Sequence, residues 1–416
     1  MHTDSSFVLR FAVPSPDGAS MARLLFVLGL LCTASTSVEA QSFPGTPDEQ
    51  QAVNYRAYPT DFWGPRAGPG VGLGMVIHNL ARPHDHWLLT AAPARHEQTA
   101  TFSYASANPR TARRFLLVDA WGLHSNRDWY GPPEARITLE HRSYRTRIRF
   151  GQTAFERRLL VQPHVSLEGH RVDDRTGPAS GVPPAGVRGA IPRSSETFRG
   201  VRGGLDVRYR SAPGAGRASS TVQLHVGWEQ YAGLDDPAVR FDRVDVGAEG
   251  ILSVYGVHRL VGRVELTTTR PRTSTAVPIL LLARLDGTLA PGWARGRFVD
   301  RDRLIGHLLY RFPLWSVGEV LALEGHAGAH LAGVYHDVGE QFTTDVEFAD
   351  PDPTDPARPL RPSVSLGVRL SAPIRPTATL DLALGLSPEG VSAATFSFRQ
   401  RLQALRPAHH ATDSFR

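Results

Sequence analysis

Few stretches of this chain carry residues at the spacing that catalysis or metal binding requires. The sequence has no Gly-x-Ser-x-Gly elbow, no Walker loop and no Gly-x-Gly-x-x-Gly after a strand. His84-Asp85-His86 fits a loop better than a metal site, because neighbouring residues on a strand face opposite ways. Glu324, His326 and His330 share one strand parity, which a polar wall explains better than a metal or catalytic cluster. We therefore expect no catalytic residues, no metal and no cofactor.

The most distinctive segment is 293–315, which reads WARGRFVDRDRLIGHLLYRFPLW. If Arg295 is buried, its guanidinium needs a carboxylate partner, and the planar guanidinium favours bidentate pairing. The adjacent Gly296 lets the backbone turn tightly next to that Arg. These residues could fix a loop in place, or Arg295 could be an ordinary charged residue of a loop.

Most of the chain alternates between apolar and polar residues with a period of two. The segments 222–228, 363–370 and 379–386 follow this pattern, and in 144–150 three Arg share one face. Such alternation places opposite chemistry on the two faces of a β-strand. No stretch between these segments resembles a long amphipathic helix, so we predict an all-β protein.

The N-terminus has the features of an export signal. From Met21, the favoured start, a short positive region at Arg23 precedes an apolar run at 24–31 and a small-residue cleavage site at 38–40. We expect residues 1–40 to be an upstream segment plus a cleaved signal peptide. The later apolar run 278–283 is also far shorter than the roughly 20 residues that a membrane-spanning helix needs.

Composition narrows the class further. All 46 basic residues are Arg, and the 40 acidic residues are interspersed with them, so we expect no nucleic-acid partner. The single cysteine, Cys32, excludes a disulfide scaffold, and cleavage would remove it. A mature chain without cysteine suits the oxidising periplasm or the cell surface.

Ionic polar faces opposite Leu, Val, Phe, Tyr and Trp favour a transmembrane barrel with lipid outside and charge inside. Long Gly/Pro-rich loops at 176–193 and 349–362 beside very short turns favour it too. We predict a transmembrane antiparallel up-and-down β-barrel of about 16 strands, in the range of about 12 to 16. A secreted all-β domain is the alternative. The barrel would span 70–402, after a short periplasmic segment at 41–69 and before a polar tail at 403–416.

The segment 293–315 resembles the C-terminal barrel of the bacterial surface antigen family, the BamA/TamA-type assembly and translocation barrels of the outer membrane. The resemblance implies a lumen-loop motif at Arg295, Gly296 and Phe298. It also implies a strand signature, which is formed here by Tyr310, Arg311, Phe312, Pro313 and Leu314.

The resemblance further implies that Arg295 meets an acidic residue after that strand. Asp337 fits the family's composition, whereas Glu324 fits the spacing better and the chemistry worse. We favour Asp337 over Glu324. The chain departs from the family pattern by the extra Arg297, by the polar tail, and by only about 30 residues between the cleavage site and the first predicted strand. That length is too short for a periplasmic polypeptide-transport-associated (POTRA) domain.

The resemblance implies an integral outer-membrane barrel that assists insertion or translocation of proteins or lipids. Its partners would be outer-membrane lipid and client outer-membrane or secreted proteins, and we expect a monomer that is not an enzyme. A passive pore or structural barrel is the main alternative, and an outer-membrane enzyme is the third.

Overall fold

The computed structural model describes most of the chain between residues 53 and 399. The described residues are 53–60, 63–64, 68–69, 72–82, 85–93, 97–107, 112–130, 136–174, 196–211, 221–255, 258–275, 277–285, 290–293, 298–317, 321–346, 358–371, 379–388 and 390–399. The predicted signal peptide and the predicted polar tail lie outside them.

Almost all of the regular structure is β-strand. In chain order the strands are β1 (Asn54–Thr60), β2 (Trp63–Gly64), β3 (Gly68–Pro69), β4 (Gly72–His78), β5 (His86–Pro93), β6 (Glu97–Ala105), β7 (Arg114–Tyr130), β8 (Arg136–Ala154), β9 (Leu159–Asp174), β10 (Glu196–Arg210), β11 (Thr221–Gly233), β12 (Arg240–Val254), β13 (His258–Pro271), β14 (Ala283–Arg284), β15 (Val299–Asp300), β16 (Asp302–Val317), β17 (Leu321–Tyr335), β18 (Phe342–Val346), β19 (Arg358–Ser371), β20 (Thr379–Ser387) and β21 (Gly390–Arg399). A short α-helix, α1 (Val338–Gln341), precedes β18. Within the described ranges, no helix is long and apolar enough to cross a membrane.

Sixteen of these strands form one antiparallel sheet, which confirms the predicted all-β barrel. Each strand pairs with the next in the order β1, β4 to β13, β16, β17, β19, β20 and β21. The two-stranded pairs β2–β3 and β14–β15 stand apart from the sheet, and β18 runs parallel to the start of β19. Sequential antiparallel pairing is the up-and-down topology that the alternation predicts.

The two faces of the sheet have inverted polarity compared with a water-soluble protein. On β8, the inward residues Arg145, Arg147 and Arg149 are buried, while the outward Ile148 and Phe150 are exposed. On β11, likewise, the buried His225, Glu229 and Tyr231 alternate with exposed Val, Leu and Trp. Exposed apolar rows around a charged interior are stable when the outer surface contacts lipid.

The sheet begins earlier than the predicted start at residue 70. Strand β1 lies inside the segment 41–69 and pairs with β4, with Asn54 opposite His78 and Thr60 opposite Gly72. Its sequence, NYRAYPT, has no clean alternation and contains Pro59, so the period-two pattern does not reveal it. Strand β1 forms because the edge of β4 offers it hydrogen-bonding partners, which the local sequence of β1 does not indicate.

Connections leave alternately from the two rims, because consecutive strands are antiparallel. The long connections 175–195, 272–301 and 336–357 all leave from one rim, which we call the loop rim. On the opposite rim, which we call the turn rim, the longest connection is 211–220, and the others are 79–85, 106–113, 155–158, 255–257, 318–320 and 372–378. The two long loops predicted at 176–193 and 349–362 therefore leave from the same rim.

The turn between β4 and β5 is fixed by one buried carboxylate. Asp85 accepts hydrogen bonds from the backbone N–H groups of Leu80, Ala81 and Arg82 at 2.9, 3.0 and 3.1 Å. The indole N–H of Trp87 donates a fourth at 3.0 Å. Burial alone would raise the pKa of Asp85, but these four donors together lower that pKa below its usual value.

We expect Asp85→Asn to lower the free energy of unfolding by about 1–3 kcal/mol at neutral pH, because buried donors lose a charged acceptor. The lowered folded pKa makes the stabilising contribution of Asp85 complete above about pH 4, where an unfolded aspartate is ionised. It is lost as the pH falls through the folded pKa. The difference in urea unfolding between the two proteins should therefore be constant above about pH 4 and shrink steadily as the pH is lowered further.

The control for this comparison is Asp235→Asn, which removes a carboxylate from an exposed ion pair with Arg199. Asp235→Asn should lower the free energy of unfolding less than Asp85→Asn does, because exposed ion pairs contribute little to stability. An equal loss in both variants at neutral pH would contradict the capping role of Asp85.

Candidate functional site

The connection after β13 folds back into the barrel. We call its described part, residues 277–285, 290–293 and 298–300, the lumen segment. It opens with a 3-10 turn, Ile279–Leu281, and all the side chains from 279 to 283 are buried. They pack against Val172, Tyr231 and Phe241, which belong to β9, β11 and β12. The apolar run that is too short to span a membrane therefore covers one wall of the lumen.

The second half of the lumen segment packs against a second part of the wall, beyond β13. Trp293 and Phe298 join a buried cluster with Ile305 of β16 and with Ala332 and Val334 of β17. Their rings meet edge to face, with centroids 5.3 Å apart. The segment therefore crosses the lumen from the β9–β12 wall to the β16–β20 wall.

The contact with β20 depends on two glycines. Gly292 has a φ of +98°, and a Cβ there would lie 2.5 Å from the carbonyl carbon of Leu386. A Cβ on Gly385 would lie 2.3 Å from the Gly292 nitrogen. The Ser387 hydroxyl donates to the Gly292 carbonyl at 2.8 Å, and the Trp293 indole donates to the Pro362 carbonyl at 3.2 Å. No side chain fits between the lumen segment and β20.

Wall arginines bind backbone carbonyls of the lumen segment. Arg243 of β12 donates to the Leu281 carbonyl, and Arg303 of β16 donates to the Arg284 carbonyl at 3.2 Å. Arg303 also pairs with Glu265 at 2.8 Å. Two carbonyl groups of this irregular segment thus accept hydrogen bonds from charged donors inside the barrel, where bulk water cannot reach every carbonyl group.

A buried ionic network lies next to the apolar part of the lumen segment. Glu168 of β9 is fully buried and lies between two guanidinium groups. Its Oε2 accepts from Arg145 at 2.7 and 2.9 Å, and its Oε1 accepts from Arg202 at 2.8 and 2.9 Å. The Arg202 guanidinium also lies over the ring of Tyr231, 5.4 Å from its centroid. The ionic network and the apolar cluster therefore share Arg202.

Glu229 of β11 extends this network to a second carboxylate. It accepts from Arg202 at 3.2 Å and from Arg147 at 3.3 Å, and His164 Nε2 lies 3.1 Å from it. Four neighbouring strands, β8 to β11, are thus joined through their inward side chains. The alternation predicted that Arg145, Arg147 and Arg149 share a face, but it did not identify Glu168, Arg202 or Glu229.

At the loop rim, next to the lumen segment, another carboxylate links neighbouring elements. Asp302 pairs with Arg270 at 2.7 Å and accepts from the backbone N–H groups of Thr269 and Val338 at 3.0 and 2.9 Å. Asp337, the favoured partner of Arg295, caps α1 through Gly339 at 2.9 Å and lies 3.3 Å from Arg270. The described contacts of Asp337 are therefore at the loop rim.

The structure places only part of the predicted motif. Arg295 and Gly296 lie outside the described residues, so their pairing stays a prediction. Phe298 is buried in the lumen, and the guanidinium of Arg361 lies 3.9 Å from its ring centroid. Glu324, the other proposed partner, faces inward on β17 opposite Arg369 of β19, near the turn rim.

The strand signature lies on β16. Tyr310 and Phe312 stack on the outward face with centroids 5.8 Å apart, and the Tyr310 hydroxyl lies 2.6 Å from His258 Nδ1. Arg311 has the inward parity and lies opposite Arg259 of β13. Pro313 is exposed beside a register shift in the pairing with β17. The signature therefore belongs to the wall and its outward surface, away from the lumen cluster.

These features define a class of protein, a 16-stranded β-barrel whose lumen is crossed by a segment from its loop rim. BamA from Haemophilus ducreyi, solved without POTRA domains 1–3, aligns with a TM-score of 0.53 at 11% identity, over 84% of this chain and 70% of that chain. CdiB from Escherichia coli aligns with a TM-score of 0.54 at 9% identity, over 83% of this chain and 61% of that chain, less than two thirds of its length. The predicted resemblance to BamA-type barrels is confirmed at the level of the fold.

Sequence comparisons add no closer relative. A scan against family models finds no match, and a search of curated proteins finds none.

We expect Glu168→Gln to lower the free energy of unfolding by about 3–5 kcal/mol, because it leaves two buried guanidinium groups without their shared counter-charge. The double variant Glu168→Gln, Arg202→Gln should lower the free energy of unfolding by less than the sum of the two single variants. Denaturant unfolding in detergent, followed by gel mobility, measures this. Glu340→Gln, on the exposed α1, is the control, and strict additivity in the double variant would contradict the pairing.

We expect Gly385→Val to displace the lumen segment from β20, because no side chain fits between them. Single-barrel conductance in a planar bilayer should rise, while gel mobility of the unboiled protein should show a folded sheet. Gly262→Val is the matched control, since a Cβ on Gly262 meets no atom within 4 Å. Equal conductance of the two variants would show that the segment does not close the lumen through this contact.

Proposed function

We propose that this chain is an integral outer-membrane barrel that assists the insertion or translocation of proteins, or of lipids, and acts as a monomer without enzymatic activity. One observation carries the proposal: a lumen segment is fixed to both walls of a barrel that shares its fold with BamA. The motif resemblance at 293–315 and the export signal support the same membrane and the same role.

The position of the lumen segment supports a coupling between the lumen and the last hairpin. Through Gly292 and Trp293 the segment contacts β20 and β19, and β20 carries β21, the final strand of the sheet. The contact consists of two side-chain hydrogen bonds and close backbone packing. Displacing the segment would free β20 and β21 from this support.

A strand edge is what an inserting client needs, because unpaired backbone groups can template another strand. The paired series of strands starts at β1, which pairs with β4, and ends at β21, which pairs with β20. We infer that the junction of β1 and β21 is the place where a client strand would be received. Release of the lumen segment from β20 would then regulate access to that junction.

A passive pore or structural barrel is the main alternative. A lumen crossed by an apolar segment and lined by paired charges would conduct weakly until the segment moves. A pore that needs no client would keep a steady conductance after the segment is displaced, and its loss would leave other membrane proteins at their normal levels.

The enzyme alternative has one set of side chains to consider among the described residues. His330 Nε2 lies 2.8 Å from the Ser365 hydroxyl, and His330 Nδ1 lies 2.6 Å from His307 Nδ1. A serine nucleophile must reach its substrate, and Ser365 is only 4% exposed inside the wall. We propose that this chain of hydrogen bonds holds β16, β17 and β19 together.

The deciding experiment is quantitative outer-membrane proteomics after depletion of the protein in its host. We expect depletion to lower a defined set of other barrels or surface proteins. Plasmid-borne wild type and Gly262→Val should restore that set, whereas Gly385→Val should restore it less well, because the lumen segment no longer supports the last hairpin.

The alternatives predict different results in the same strains. An unchanged outer-membrane proteome after depletion would contradict the assembly role and favour the pore. Ser365→Ala should restore the set as well as wild type does. A complete loss of complementation by a folded Ser365→Ala variant would favour the enzyme.

A further inference from the structure

Five arginines gather at one part of the turn rim. Two come from the start of β7, two from the turn between β8 and β9, and one from the end of β10. We call them the turn-rim arginine patch, which consists of Arg113, Arg114, Arg157, Arg158 and Arg210. In the stretches 112–114, 153–158 and 210–211, the only carboxylate is Glu156.

Backbone hydrogen bonds bring these three strand ends together. The Thr153 N–H donates to the Arg113 carbonyl at 2.8 Å, and the Arg210 N–H donates to the Arg158 carbonyl at 2.8 Å. In the sheet register, Arg114 also lies opposite Gln152. The positions of the arginines are therefore set by the sheet, in spite of their exposure.

The patch borders an open cavity of about 510 Å³ between two of the turns. Its lining combines charge with one large aromatic side chain and is formed by Arg113, Thr153, Ala154, Phe155, Glu156 and Arg157. Phe155 is 75% exposed, unusually high for an aromatic residue of this size. The lining thus offers cationic donors beside an exposed apolar ring.

The turn has a backbone conformation that ordinary residues rarely adopt. Phe155, Glu156 and Arg157 have φ values of 47°, 54° and 68°, and none of them is glycine. Three consecutive residues in the left-handed region carry strain that the sequence could have relieved with glycine. This conformation fixes Phe155 and Arg157 at the rim of the cavity.

The surroundings of the patch identify its occupant. On the outward face, Phe150 of β8 and Tyr209 of β10 are exposed within a few residues of the patch. These side chains belong to the apolar band that contacts acyl chains. An aromatic ring beside arginines, directly beyond that band, lies at the level of lipid headgroups. Phe150 and Tyr209 therefore mark the end of the apolar band, next to the strand ends that carry the patch.

We propose that the turn-rim arginine patch binds the phosphate of an anionic phospholipid in the leaflet next to this rim. Arg157 and Arg113 would donate to the phosphate oxygens, and Phe155 would insert among the adjacent chains. Outer-membrane barrels turn their short turns towards the periplasm, so this leaflet would be the inner leaflet of the outer membrane. The inference rests on the proposed membrane location and is independent of any client.

Native mass spectrometry of the purified barrel with added phosphatidylglycerol tests the proposal. The test variant is Arg113→Gln, Arg157→Gln, Arg158→Gln, and we expect its lipid retention to fall roughly tenfold or more, since each Arg near an anionic surface changes binding about fivefold. The matched control removes three exposed arginines near the loop rim: Arg171→Gln, Arg199→Gln, Arg272→Gln. It should retain lipid like the wild type.

A second variant keeps the proposal testable if the triple variant does not fold. Glu156→Gln removes the only carboxylate of these turns and should raise phosphatidylglycerol retention about twofold or more. Unboiled gel mobility confirms folding in each case. Phosphatidylcholine should be retained equally by all variants.

Several results would overturn the proposal. One is an equal loss of lipid in the test and control variants, and another is retention of phosphatidylglycerol by a folded test variant. A third is displacement of the lipid by inorganic phosphate at the same concentration as the lipid. Loss of hexaglutamate binding with unchanged lipid binding would assign the patch to an acidic protein segment instead. Because the assay uses pure protein, it can fail while the proposed assembly role stands.

Discussion

The neutralisation of buried charge is the constraint on which the rest of this structure depends. A barrel that turns apolar residues to lipid must turn its charged residues inward, where each unpaired ion would be costly. Glu168 forms ion pairs with both Arg145 and Arg202. Glu229 forms ion pairs with Arg202 and Arg147. The pairs cross from strand to strand, so they also hold the register of the wall.

The same arginines make the lumen a place where irregular chain can be folded. A segment without regular structure exposes carbonyl groups that need donors. Arg243 and Arg303 supply these donors to the lumen segment. Arg202 contacts the rings of Tyr231 and Phe241, against which the leucines of the lumen segment pack. Charge pairing in the wall and apolar burial in the segment are therefore two parts of one arrangement.

The two rims of the barrel have different chemistry. The loop rim carries the long connections, the Asp302 cluster and the entry of the lumen segment. The turn rim carries short turns, an arginine-rich patch and the strained turn at 155–157.

Sequence alone predicted the class of fold, because the alternation of a strand is a local property. It placed Arg145, Arg147 and Arg149 on one face, and the structure has them inward. It did not reveal β1, whose pattern is irregular and whose formation depends on the edge of β4.

The sequence resemblance also pointed to a loop in the lumen, and Phe298 lies there. It favoured Asp337 as a partner for Arg295, a pairing that stays a prediction because Arg295 lies outside the described residues; the described contacts of Asp337 include Arg270 and Gly339. Composition likewise gave no sign that the apolar run at 278–283 would fill part of the lumen.

What the sequence by itself determined was which residues of each strand face the interior of the barrel and which face outward. Only the tertiary structure decided which acid neutralises which arginine, and where the lumen segment meets the walls. Arg147 and Glu229 are 82 residues apart in the chain. They meet because the closed curvature and stagger of the barrel bring their strands to the same height, and no local pattern encodes that height.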